Sequence, residues 1–149
     1  VEAELLADIT YRLLKKRGVG AEQIAILSPY RAQNNTIAEY LTLLLGEHDD
    51  LPVIDMVERM QGAERDVILF GFTCSDPDLI FSEFINNPNR FNVVLTRARQ
   101  KIIVVGSKLF FRSVASAEKQ LQDNRCFKDF FDHCCDNGCY FEYPTILKN

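Results

Sequence analysis

No apolar run in these 149 residues approaches the roughly 18 needed to cross a bilayer, so a membrane-spanning helix is excluded. Positive charge is not in surplus either: 17 Lys and Arg face 21 Asp and Glu, a formal charge of −4. Phosphate contacts dominate nucleic-acid affinity, so a stand-alone nucleic-acid binder would more often be basic. The acidic balance counts against such a module, but not against a domain forming one wall of a shared groove. The opening VEAELLADIT lacks the basic-then-apolar layout of a signal peptide. Five cysteines are an odd number in a chain that is not small, so reduced thiols in an intracellular (cytoplasmic or nuclear) protein are expected. His133, Cys134, Cys135 and Cys139 cluster, but adjacent cysteines miss the usual zinc-ligand spacing and no second pair exists, so no metal site is expected. G-x-x-x-x-G-K-[ST] is missing: the nearest stretch, GSK at 106–108, has the wrong order and follows a strand instead of preceding one. G-x-G-x-x-G is missing too, which argues against a Rossmann-type nucleotide binder. There is no repeat, low-complexity tract or internal linker.

What is present is ordinary globular material, 47% hydrophobic and 26% charged, in a chain of single-domain length. Residues 2–17 read as an amphipathic helix with Leu5, Leu6, Ile9 and Leu13 as its stripe, acidic early, basic late, and stopped by Gly18. IAILSP (24–29) is a short apolar run ended by proline, hence a buried strand. A second helix follows from Tyr30, with Ile37, Tyr40, Leu41 and Leu44 in line, closing at Gly46. PVIDMV and DVILFGFT are further strand candidates, and residues 74–89, with two prolines and three asparagines, read as a long loop. A third helix, roughly 88–99, carries Phe91, Val94, Leu95 and Ala98 as its stripe, and the buried strand KIIVVGS follows. The tail holds another helix, with Phe127, Phe130, Phe131 and Cys134 in line, ended by Gly138. Alternating helices and doubly apolar strands imply an α/β fold with a mostly parallel sheet.

Three stretches carry candidate chemistry. In the third helix Arg90 and Arg97, seven residues apart, share an azimuth to one side of the apolar stripe, and Arg99 lies to the other. One arginine could reach outward to a ligand while another braces the domain; a solvated face is the bland alternative. In VERMQGAERDVILF (57–70), Gly62 breaks the pattern ahead of a strand, with Glu58, Gln61 and Glu64 three apart around it. A glutamate there is placed to accept hydroxyl hydrogen bonds such as those of a ribose, or is simply turn polarity. In ILSPYRAQ (26–33) a strand end enters a helix, where ligands of open α/β sheets gather. Tyr30 could stack on a base and Arg31 or Gln33 meet phosphate, or Tyr30 could merely cap the core.

ILSPYRAQ, VERMQGAERDVIL and NRFNVVLTRARQKIIVVGS stand in the order and spacing of helicase motifs four, five and six. Over nearly its whole length the chain resembles the second, C-terminal RecA-like domain of superfamily 1 helicases. The branch is the one holding the nonsense-mediated-decay helicase and the Dna-two-type helicase-nucleases. The resemblance implies one domain over 1–149, cut from a longer protein, with the P-loop-NTPase-type three-layer sandwich and its mostly parallel central sheet. It implies that Arg97, first arginine of LTRAR, is the arginine finger reaching the γ-phosphate of ATP. It makes Glu64 the ribose contact, Gln61 and Gly62 the shapers of that turn, and Arg90 and Arg99 supports of the cleft and the interdomain contacts. Ser28, Pro29, Tyr30 and Arg31 match the fourth motif, which with Gln33 lies toward single-stranded DNA or RNA. Two positions depart from the pattern: Met56 replaces a usual threonine or serine, losing a hydroxyl for the nucleic-acid backbone, and Met60 replaces a usual phenylalanine. An aromatic that stacks on adenine, expected just before Glu2 and Ala3, is not in the chain.

Since no phosphate loop occurs and no acidic strand end of the Walker B kind is apparent, the chain is expected to supply half of an active site. ATP and Mg²⁺ would be held mainly by an N-terminal RecA-like domain of the same protein. The isolated chain is expected to be inactive. The rival reading is a catalytically inactive RecA-like module that only docks partners or nucleic acid.

Overall fold

The computed structural model describes residues 2–46, 50–60, 63–72, 88–106 and 129–142. Helix α1 spans Glu2–Lys15, with Glu2 and Glu4 in its first turn and Arg12 and Lys15 in its last, each sign at the pole it stabilises. Its buried face is Ala3, Leu5, Leu6, Ala7 and Thr10, while Ile9 and Leu13 of the expected stripe pack partly buried beside it. Gly18, at φ 70°, provides the left-handed turn that ends the helix.

Strand β1, Ile24–Leu27, is wholly buried, and helix α2, Arg31–Leu45, follows it directly. The buried line of α2 is Asn34, Ile37 and Leu41, narrower than the sequence implies. Tyr40 and Leu44 are 37% and 45% exposed, because at 100° per residue the face set by Asn34, Ile37, Leu41 and the partly buried Leu45 turns them to its side. Tyr40 instead hydrogen-bonds Glu4 across the two helices, and that bond and the carboxylate's charge hold its phenol pKa above the ordinary value.

Strands β2 (Val53–Asp55), β3 (Arg65–Gly71) and β4 (Ala98–Val105) complete a sheet ordered β2-β1-β3-β4, every pairing parallel. Helix α3, Pro88–Arg97, links β3 to β4, and residues 129–136 are helical. Successive strand residues face opposite ways, which divides the core in two. Ile24, Ile26, Val67, Leu69 and Val105 meet α1 and α2 on one side. Ala25, Leu27, Ile68, Phe70 and Phe72 meet Phe91 and Val94 of α3 on the other, where Phe130 joins with its ring 5.4 Å from that of Phe91. The result is the expected three-layer α/β sandwich.

Two boundaries differ from the sequence reading. Helix α3 starts at Pro88, as the reading of a third helix from about residue 88 implies, so the loop read over 74–89 ends by residue 87; proline's fixed φ and missing N–H suit a first helical position. The rest of the expected loop, up to residue 87, lies outside the described residues, as does Phe127. More important, α3 ends at Arg97 and Ala98 already pairs with Arg65. Arg99 therefore belongs to a strand, and its helical azimuth is not the reason it parts from Arg97. Strand β4 is also less buried than an all-apolar strand: Arg99, Gln100 and Lys101 are exposed and only Val105 is buried, β4 being the last described strand of the sheet.

Candidate functional site

The candidate residues divide between the two edges of the sheet. At the edge where strands begin, Arg97 closes α3 one residue before the Ala98–Arg65 pair, and Glu64 immediately precedes Arg65. Neighbouring strands lie about 4.8 Å apart, so the backbones of Arg97 and Glu64 enter the edge side by side. Glu64 is exposed, and its carbonyl accepts a hydrogen bond from Arg65 Nη1 at 2.8 Å. Arg97 is half-buried, and its Nε is buried with no hydrogen-bond partner among the described residues. Such an unmet donor costs about 1–3 kcal/mol, more when charged, unless something outside the domain meets it. Gln61 and Gly62 lie outside the described residues, and of Arg90 only its backbone in the first turn of α3 is described. Met60 is 3% exposed among the core residues behind this edge, so the thioether occupies the interior place of the usual phenylalanine.

At the opposite edge, β1 ends in the turn that starts α2. Ser28 is fully buried: its hydroxyl lies 2.8 Å from Asn34 Oδ1 and 3.0 Å from the Tyr30 carbonyl oxygen, and its N–H donates to the Asp55 carbonyl at 3.3 Å. Pro29 is buried as well, so both residues build the turn. Tyr30 is half-buried against the α3-side core, the capping role weighed for it, and Arg31 is exposed at the first helical position. Gln33 is half-buried, with its Nε2 enclosed and without a hydrogen-bond partner among the described residues. Half-buried Met56 follows β2 at this same edge. Six residue steps separate Arg65 from Gly71 on β3, which sets the two edges about 20 Å apart at 3.3 Å per residue.

Residues 1–109 match the family described as AAA domain. The chain belongs to this family. It is 34% identical over 108 residues to "Putative regulator of nonsense transcripts 1" of Takifugu rubripes, covering 71% of this chain and 10% of that protein. It is 37% identical over 109 residues to "Regulator of nonsense transcripts 1 homolog" of Drosophila melanogaster, covering 71% of this chain and 9% of that one. Against "DNA replication ATP-dependent helicase/nuclease DNA2" of Homo sapiens, identity is 30% over 105 residues, 70% of this chain and 9% of the relative. The chain thus spans about a tenth of the length of these relatives. The AAA domain here is a second RecA-like domain of the superfamily 1 branch that holds them, as its three motifs imply.

One further polar group at the strand-start edge lies inside the fifth-motif stretch VERMQGAERDVIL without a role having been assigned to it. Asp66, with its side chain 18% exposed, is contacted by Arg99 Nε at 2.9 Å and by Gln23 Nε2 at 2.9 Å. In the sequence it closes the Q-G-x-E-x-D pattern of that motif and heads a strand whose next residues are all buried, but nothing there names its partners. Within the described residues no group of three His, Cys, Asp or Glu is arranged to hold a metal ion, and no helix is long and apolar enough to cross a membrane.

Proposed function

We propose that this chain is the second motor domain of an ATP-dependent nucleic-acid helicase or translocase, acting in an intracellular compartment. The observation that carries the reading is Arg97: a half-buried guanidinium whose Nε has no partner among the described residues, at an edge it shares with Glu64, in a domain family whose members include ATP-dependent helicases by name. In this reading ATP binds between this domain and an N-terminal RecA-like domain, which supplies most of the phosphate and Mg²⁺ ligands. The metal neutralises charge on the phosphates when bound. Arg97 stabilises charge on the γ-phosphoryl group as it transfers, a task suited to a planar, permanently charged fork. The exposed Glu64 carboxylate accepts hydrogen bonds from the ribose, Gln61 and Gly62 shape the turn that presents it, and Arg90 and Arg99 support the cleft.

The strand-end edge faces single-stranded DNA or RNA. Arg31 is its exposed cation, Tyr30 and Gln33 add a partly covered ring and amide, and Ser28 and Pro29 fix the turn that holds them. Closing the interdomain cleft around ATP and reopening it after hydrolysis would then move this edge relative to the first domain and step the protein along the strand. The test is ATPase activity of the full-length parent with and without single-stranded nucleic acid. Strand-stimulated hydrolysis that Arg97→Ala abolishes supports the motor. Nucleic-acid binding without hydrolysis would make the domain a docking module instead.

A further inference from the structure

We propose that Asp66 is a positioning residue for Arg97, acting through Arg99 across a bulge in β4. The proposal rests on the reading of Arg97 as the arginine finger. Between the paired residues Arg65 and Val67 of β3 there is one residue, Asp66; between their partners Ala98 and Lys101 of β4 there are two. The extra residue, at Arg99–Gln100, begins two positions after Arg97. This one-residue register shift, which is rare in a parallel pair, acts as a bulge: an extra residue bends its strand and re-aims the side chains beside it.

The two oxygens of the Asp66 carboxylate are divided between elements. Oδ1 meets Arg99 Nε at 2.9 Å, and Oδ2 accepts a hydrogen bond from Gln23 Nε2 at 2.9 Å. Gln23 in turn uses its Oε1 to accept the Gly20 N–H at 2.7 Å. The chain Gly20–Gln23–Asp66–Arg99 therefore ties the turn before β1 to the heads of β3 and β4. No such tie is seen at the Nε of Arg97, which has no partner among the described residues. What aims its guanidinium is the backbone at the end of α3 and the bulge that follows. Asp66 holds that bulge from the facing strand, at a residue only 18% exposed at its side chain and fixed on both oxygens.

A displaced finger loses transition-state stabilisation more than nucleotide affinity, and a misplacement of about 1 Å can cost about 10²-fold in rate. The experiment is a double-mutant cycle in the full-length parent, reading kcat and KM for ATP at saturating single strand, with melting curves alongside. Asp66→Asn keeps the shape and removes the charge. We expect kcat to fall roughly 10–100-fold with KM for ATP changed less than about threefold. In the Arg97→Ala background the same substitution should lower kcat no further, because its effect runs through the side chain already removed. A purely structural role would give additive losses, and additive losses overturn the proposal. Unchanged kcat in Asp66→Asn beside an inactive Arg97→Ala protein also overturns it, while leaving the finger in place. Wild-type kcat in Arg97→Ala alone defeats the finger reading instead. Should Asp66→Asn fail to fold, Arg99→Ala, at a side chain 54% exposed, cuts the same link and is judged by the same cycle.

Discussion

If Arg97 is the proposed finger, truncating it should separate catalysis from folding, because of how little its Nε contributes inside the described domain. Its Nε is buried without a hydrogen-bond partner among the described residues, so Arg97→Ala strands no acceptor known to depend on that Nε and relieves one unmet donor. Stability should change by no more than about 1 kcal/mol, a shift in melting temperature within about 4 °C. Activity should change far more. Arginine fingers contribute roughly 10³–10⁵-fold in phosphoryl transfer, or about 4–7 kcal/mol of barrier. Arg97→Lys should recover little of this, since an ammonium is a point charge and cannot make a forked contact. The assay is steady-state ATP hydrolysis by the full-length parent at saturating single strand, with circular-dichroism melts of each variant. A well-folded Arg97→Ala protein turning over at the wild-type rate would refute the reasoning and return this arginine to the solvated face.

Three further outcomes follow from the same structure. The chain by itself should hydrolyse ATP far below the roughly 10 per second typical of enzymes, because it has no phosphate-cradling loop; turnover near 1 per second by the purified chain would overturn the half-site assignment. Phe91→Ala should destabilise by about 3–5 kcal/mol in chemical denaturation, since Phe91 is 1% exposed among Phe70, Phe72 and Phe130, and a loss below about 1 kcal/mol would contradict the packing of α3. Burial first, then the neighbouring thiols of Cys139 and Cys135, raise the pKa of Cys134, so near pH 8 it holds less thiolate and should alkylate more slowly than either exposed neighbour; equal rates by mass spectrometry would speak against that environment.

The layers of this fold were legible because its central strands are short and apolar on both faces. IAIL and VILF can be buried twice only between two sheets of helices, and the helical stripes on either side identify those helices. Sheet order was not legible: β1 sits between β2 and β3 through contacts that no local pattern records. The end of α3 was missed because LTRAR continues a helical period smoothly. What stops the helix is the pairing of Ala98 with a residue 33 positions earlier and the ion pair from Arg99 to Asp66. The contacts of Asp66, though it stands within the fifth motif, were not legible for the same reason, both of its partners being distant in sequence. Tyr30 kept two readings because its ring is half-covered, and a half-covered ring serves the core without being lost to a base.

The position of the two edges constrains how a motor built on this domain could work. Between them run β1 and β3, paired from Ile24–Val67 to Leu27–Phe70, with these residues all buried and packed on both sides. A close-packed, fully hydrogen-bonded layer of this kind does not stretch or shear by ångströms without losing much of the core. A change at the Glu64–Arg97 edge therefore cannot be passed to the Tyr30–Arg31 edge by deforming the sheet. It can be passed by turning the whole domain, since a rigid body about 20 Å across converts a tilt of 10° at one edge into a displacement of about 3–4 Å at the other. In the proposed motor the low-cost place for motion is the boundary with a first domain, toward which Arg97 would turn an Nε that has no partner among the described residues. That is why its aim, and the bulge that sets it, matter more to the proposed cycle than any residue inside the sheet.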